Sequence, residues 1–107
     1  MNSSPLPLLG LARKAGKLEI GFDAAKEWML NGKAYLVVCA EDISPKTFKE
    51  INFFAAKSPN HDLAIIKLNF DRDALSNAIG KSAVCVAVKD DGFAKKIQQL
   101  HNSGGNL

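Results

Sequence analysis

Two runs constrain this chain more than anything else in it. Tyr35-Leu36-Val37-Val38-Cys39-Ala40 and Ala83-Val84-Cys85-Val86-Ala87-Val88 carry no charge and are rich in β-branched side chains. Segments of this kind have no polar face to turn to water, so each predicts a strand covered on both sides. Leu63-Ala64-Ile65-Ile66 predicts a third buried strand, and Lys17-Leu18-Glu19-Ile20 a short extended piece before Gly21. A sheet covered twice requires helices on both faces.

The intervening stretches supply them. Leu8, Leu11, Ala12 and Ala15 recur at helical spacing after Pro5 and Pro7, with Gly16 as the stop. A second helix from about Asp23 places Phe22, Ala25 and Met29 on one face and ends at Asn31-Gly32. Ser44-Pro45 reads as an N-cap with proline at the first helical position, ahead of an apolar stripe of Phe48, Ile51 and Ala55. Asp71 caps a helix bearing Leu75, Ala78 and Ile79, closed by Gly80; Asp90 or Asp91 caps another bearing Phe93, Ile97 and Leu100. The pattern predicts an α/β protein: a central, mostly parallel sheet of four strands with about five helices on its two faces. One domain spans residues 1–101, and the Gly/Ser/Asn-rich stretch 102–107 reads as a flexible C-terminal tail.

Several functions fall away on composition. At 107 residues, 47% hydrophobic and 23% charged, the chain is an ordinary globular domain. Its apolar runs are far shorter than the ~20 residues needed to cross a bilayer, and Met1 to Pro7 has no signal-peptide pattern. The expected location is the cytoplasm, with no membrane partner. Cys39 and Cys85 each sit inside an apolar run and read as small hydrophobes rather than a disulfide, zinc ligands or a reactive thiol.

Catalytic and nucleotide-binding signals are thin. Gly10 and Gly16-Lys17 are separated by five residues instead of the four of a phosphate-binding loop, and Leu18 stands where Ser or Thr should be. Gly80-Lys81-Ser82 has the right ending, but Leu75 occupies the first glycine position and a strand follows. His61 lies in a polar loop and His101 near the C-terminal end, neither in an evident catalytic arrangement, and Asp90-Asp91 is accounted for as a helix cap. The expectation is no enzyme, no cofactor and no metal.

What remains is charge and backbone. Lys+Arg number 14 against 11 Asp+Glu, for a net charge of +3. Arg13, Lys14 and Lys17 bracket the end of the first helix, Lys33 follows the second, and Lys81 lies in the loop before the last strand. Gly21 opens the second helix, whose first unpaired N–H groups can hold an anion. On charge alone these lysines equally describe a solvated surface.

The same residues carry a resemblance. Leu8-Leu9-Gly10-Leu11-Ala12-Arg13-Lys14-Ala15-Gly16-Lys17-Leu18, then Gly21, then Ala34 through Asp42, resembles the kink-turn RNA-binding ribosomal-protein family, most closely its bacterial, ribosome-associated YlxQ-like branch. Ala78-Ile79-Gly80-Lys81-Ser82 and Asp91-Gly92-Phe93-Ala94 continue the match, which covers about Pro7 to Leu100. It implies a three-layer α/β/α sandwich with a four-stranded mixed, mostly parallel sheet and no catalytic activity; a monomer is expected. The implied partners are structured RNA, ribosomal RNA or a kink-turn, and the ribosome.

By position, the resemblance makes Gly21, Phe22, Asp23, Ala24 and Glu27 the edge that reads a bent internal loop. Asp42 and Ile43 line a second loop, and Gly80, Lys81, Ser82 and Ala83 a third. Lys14, Lys17, Lys33 and Lys81 would contact backbone phosphates, which position without specifying. The chain departs from the family pattern where kink-turn readers carry Asn-Glu, at Asp23-Ala24, and a lysine, at Glu27. Lys26 is the neighbouring cation, rotated by ~100° on a helix. Phe22 either stacks on an exposed base or joins Ala25 and Met29 in the core. The alternative function is a protein-interaction or regulatory module on the same fold, with kink-turn specificity weakened or lost.

Overall fold

The computed structural model describes residues 4–104. In chain order the elements are α1 (Leu6–Lys14), β1 (Leu18–Ile20), α2 (Phe22–Leu30), β2 (Leu36–Cys39), α3 (Pro45–Ala56), β3 (Ala64–Lys67), α4 (Arg72–Ile79), β4 (Cys85–Val88) and α5 (Asp91–Gly104). The strands form one sheet in the order β1-β4-β2-β3.

The mixed sheet is as expected, but its pairing differs from the parallel reading. β1, β2 and β3 point one way, whereas β4 runs against them between β1 and β2. Only β2 and β3 therefore pair in parallel. The two central strands are fully buried, as their unbroken apolar runs require. β3 is a correction: as an edge strand with one neighbour it is only half-buried and ends on exposed Lys67.

Alternation along the strands sends side chains to two cores. Leu36, Val38, Val86 and Val88 pack with Leu9, Ala12, Leu75, Ile79, Ala94 and Ile97, beneath α1, α4 and α5. Val37, Cys39, Cys85 and Ala87 pack with Ala25, Met29 and Ile51, beneath α2 and α3. This is the three-layer α/β/α arrangement.

Local signals place most helix ends. Ser44 Oγ accepts from Thr47 N at 3.1 Å, and Asp71 Oδ1 from Ala74 N at 2.9 Å. Asp90, not Asp91, caps α5, its Oδ2 accepting from Phe93 N at 2.8 Å. Gly10 serves helix packing: a Cβ there would stand 2.8 Å from the Ala78 carbonyl oxygen of α4. Two boundaries move. α2 begins one residue early, at Phe22, because Gly21 turns the chain. α5 continues to Gly104 rather than giving way at Asn102, since i→i−4 bonding carries its final turn past the packed Ile97–Leu100 segment. Residues 105–107 of the expected tail lie outside the described residues.

Candidate functional site

The sheet topology gathers three loops at one rim. β1, β2 and β3 end there and antiparallel β4 begins there, so Gly21, the stretch 40–43 and the loop 80–84 become neighbours. Backbone bonds fix them: Gly21 N donates to Cys85 O at 3.0 Å, Ala40 N to Val84 O at 2.8 Å, and Glu41 N to Phe70 O at 2.8 Å.

Gly21 has φ 102° and ψ 166°, a conformation that L side chains rarely adopt, and it turns β1 directly into α2. No described side chain caps that helix, so the N–H groups of its first turn point at the rim without a side-chain acceptor. Asp23 is exposed beside them, Ala24 is half-buried, and exposed Glu27 lies one turn along the same face. The rim thus combines the positive end of a helix dipole with two carboxylates. Phe22 is half-buried against Phe54 of α3, ring centroids 6.3 Å apart, so it packs on the core rather than standing free. Lys26 leans the same way, its Nζ 4.6 Å from the Phe54 ring centre.

The other two loops are tied together by a residue that sequence reasoning missed. Arg72, the first residue of α4, donates from its backbone N to Asp42 Oδ1 at 2.7 Å and from Nη2 to Ser82 Oγ at 3.2 Å. The cap at Asp71 was legible, and it places Arg72 in the first helical turn; the bonds it makes were not. Ser76 completes the junction, its hydroxyl accepting from Ala83 N at 3.1 Å and donating to Ala83 O at 3.2 Å.

The expected site residues divide accordingly. Gly21, Asp23, Ala24, Glu27, Asp42 and Ser82 share the rim, with Lys81 exposed beside Ser82. Ile43 and Ala83 sit in the same loops, but both are buried, so their side chains serve the two cores. Gly80 ends α4 with φ 74°, and Arg13 lies against it, donating from Nη1 to Ile79 O. Lys14 lines the shallow groove beside them with Asn77 and Gly80.

Lys17 and Lys33 are not brought to the rim. Lys17 O accepts from Lys89 N at 2.8 Å, and Tyr35 N, two residues after Lys33, donates to Val88 O at 2.9 Å. Both lysines therefore stand at the opposite end of the sheet, ~13 Å from Gly21 by strand rise and helix length. At that end Lys89 pairs with Glu19 at 2.7 Å and lies over Trp28.

Chemically the rim offers backbone donors, a hydroxyl, carboxylates and cations. Among the described residues no cluster of three His, Cys, Asp or Glu could hold a metal ion. Cys39 and Cys85 face each other across the β2–β4 pair. Burial pushes the Cys39 thiol up to about 12, with Cys85 adding to the shift and Lys67 opposing it; burial alone raises Cys85 to about 11. No described helix is long and apolar enough to cross a membrane.

Known proteins resemble the whole of this architecture. The chain is 39% identical over 95 residues to the RNA-binding protein YlxQ of Bacillus subtilis (strain 168), covering 88% of this chain and 91% of that protein. It is 34% identical over 93 residues to the RNA-binding protein YlxQ of Enterococcus faecium, covering 87% and 86%. A Bacillus halodurans C protein of unknown function superposes with a TM-score of 0.83 at 29% identity, covering 94% of this chain and 99% of that one. A Giardia lamblia 15.5kD RNA binding protein shares the fold with a TM-score of 0.73 at 15% identity, covering 94% and 84%. The two YlxQ proteins and the Giardia protein are named for binding RNA, not for a reaction. With its family model matching residues 6–98, the chain belongs to the ribosomal protein L7Ae/L30e/S12e/Gadd45 family.

Proposed function

We propose that this chain is a non-catalytic RNA-binding protein, ribosomal or ribosome-associated, that recognises structured, kink-turn-like RNA at the three-loop rim. One observation carries the reading: the uncapped N-terminus of α2, opened by Gly21 at φ 102°, is held beside the Asp42 and Ser82 loops that Arg72 joins. Helix N–H groups suit a phosphate or the edge of an unstacked base. A bent internal loop displays such edges, whereas the deep, narrow major groove of an A-form duplex hides them. The relatives named above as RNA-binding proteins support the same reading.

Asp23, Ala24 and Glu27 favour a second, narrower reading, in which kink-turn specificity is weakened and the fold serves as an interaction module. A carboxylate at Asp23 cannot donate to a base, and Glu27 repels phosphate. Lys26, rotated by ~100° from Glu27 around the helix and leaning toward Phe54, does not stand in its place.

A salt-series titration against a kink-turn RNA and a straight duplex of equal length separates the readings. Tighter binding to the kink-turn, with a log–log salt slope of about −0.7 to −0.9 per neutralised phosphate, supports rim recognition. Equal, weak, salt-dependent binding to both refutes the specificity. Absence of binding refutes the RNA function.

A further inference from the structure

The outer face of α3 has no part in the rim, yet it is built in a way that a merely solvated face is not. Lys46, Lys49, Phe53 and Lys57 are all exposed and follow one another at spacings of three and four, forming a single stripe. Phe53 is 57% exposed, so this chain leaves a phenylalanine ring in water. Glu50, four residues after Lys46 and three before Phe53, lies on the same face but is half-buried, so three exposed lysines outnumber the stripe's single carboxylate.

Phe53 also belongs to an aromatic row. Its ring meets Phe54 edge-on at 5.3 Å, and Phe54 meets Phe22 at 6.3 Å. Phe22 is the first residue of α2, so the row runs from the exposed stripe to the uncapped helix end at the rim. Two ammonium groups lie over it, Lys57 Nζ 4.9 Å from the Phe53 centre and Lys26 Nζ 4.6 Å from that of Phe54. Exposed aromatic rings interleaved with cations form the general platform for unpaired nucleotides.

We propose that the α3 face is a second RNA-contacting surface: Phe53 stacks an unpaired base while Lys49 and Lys57 meet the flanking phosphates. This rests on the RNA-binding reading above and extends it to a single-stranded segment leaving the structured element. The lysine over Phe53 is no obstacle. An exposed ammonium on a ring is worth a factor of ~2–5 and a stacked base ~5–150, so the base displaces it and the flexible stem carries the charge to a phosphate. The excess of cations along the stripe, Lys46, Lys49 and Lys57 against Glu50, suits a polyanion, and with continuity with the rim through Phe54 and Phe22 it favours this occupant over a protein.

The test uses the full chain and three labelled probes: a kink-turn RNA, the same RNA with a single-stranded uridine extension at either end, and a short oligouridine. Phe53→Ala should weaken binding to the extended RNA and the oligouridine ~5- to 150-fold and leave the unextended kink-turn unchanged. Phe53→Trp should restore it. Lys49→Glu with Lys57→Glu should flatten the salt slope on the extended RNA by about 1.4, two single-strand phosphate contacts. Thermal melting of Phe53→Ala should stay close to the parent, since more than half of the residue is exposed and the change forfeits only the edge contact with Phe54 and the Lys57 contact. Unchanged affinity of Phe53→Ala for the extended RNA, with the parent still binding the kink-turn, overturns the α3 surface and leaves the rim standing. If Phe53→Ala abolishes self-association and leaves RNA affinity alone, the face is a protein contact and the proposal is wrong. Failure of the parent to bind any probe overturns both.

Discussion

Replacing Gly80 by alanine tests whether the third loop is shaped by its own backbone or by the RNA it is proposed to meet. Gly80 closes α4 at φ 74° and ψ 20°, with its N–H donating to Ser76 O at 2.8 Å. An L-residue in that left-handed conformation costs about 1–2 kcal/mol. The added Cβ would stand 2.7 Å from Arg13 Nη1, which must then leave the Ile79 carbonyl. Losing that part-buried bond costs about 1 kcal/mol. Gly80→Ala should therefore destabilise by about 2–3 kcal/mol, lowering Tm by about 8–15 °C in a domain of this size. Thermal melts followed by circular dichroism measure it, with Arg13→Ala and the double variant completing a cycle. Because the methyl and the guanidinium compete for one space, the double variant should cost about 1 kcal/mol less than the two singles combined. A strictly additive cycle would refute the close contact, and a Tm within a degree or two of the parent would refute the left-handed cap itself.

The remaining predictions concern the rim and the core. Lys81→Glu should weaken kink-turn RNA binding and flatten its salt slope by about 0.9, whereas Lys17→Glu, at the far end of the sheet, should change neither; equal losses in both would remove the rim from the mechanism. Combining Asp23→Asn, Ala24→Glu and Glu27→Lys should tighten binding to a kink-turn over a duplex, and an unchanged ratio would show that these positions are not the reading edge. Cys39 and Cys85 should resist a thiol reagent in the native protein at pH 8 and react once it is unfolded. Both thiols are raised in the fold, Cys39 to about 12 and Cys85 to about 11, from 9.0. Their neutral forms thus favour the folded state, and that contribution should be full below pH 9 and lost progressively as pH rises through the folded values. Denaturant melts of the parent and of Cys39→Ala with Cys85→Ala across that range check the sign: stability of the parent should fall more steeply.

Much of this fold was legible because its signals are local. The runs 35–40 and 83–88 admit burial on both faces whatever surrounds them, and they became the two central strands. Ser44, Asp71 and Gly80 mark helix ends through bonds to residues three or four positions away. Gly21 too could be read as the start of α2, since a glycine between a strand and a helix serves a tight turn.

The sidedness of the site could not be read this way. Placing β4 between β1 and β2, and against them, pairs residues 46 to 70 positions apart, as in Cys39 with Cys85 and Leu18 with Val88. Pattern within a strand records that it is buried, not which neighbour buries it or in which direction. That one reversal brings the loop before β4 beside Gly21 and Asp42, and sends Lys17 and Lys33 to the other end of the sheet. It also buries Ile43 and Ala83, which sequence placed on the surface, and lets Arg72 join loops ten and thirty residues away. The amino-acid order determined the elements, their caps and the two-sided core, because periodicity and capping act over a few residues. Which side chains share the rim was decided only by tertiary pairing, because the energy that sets it lies in contacts between segments far apart in the chain.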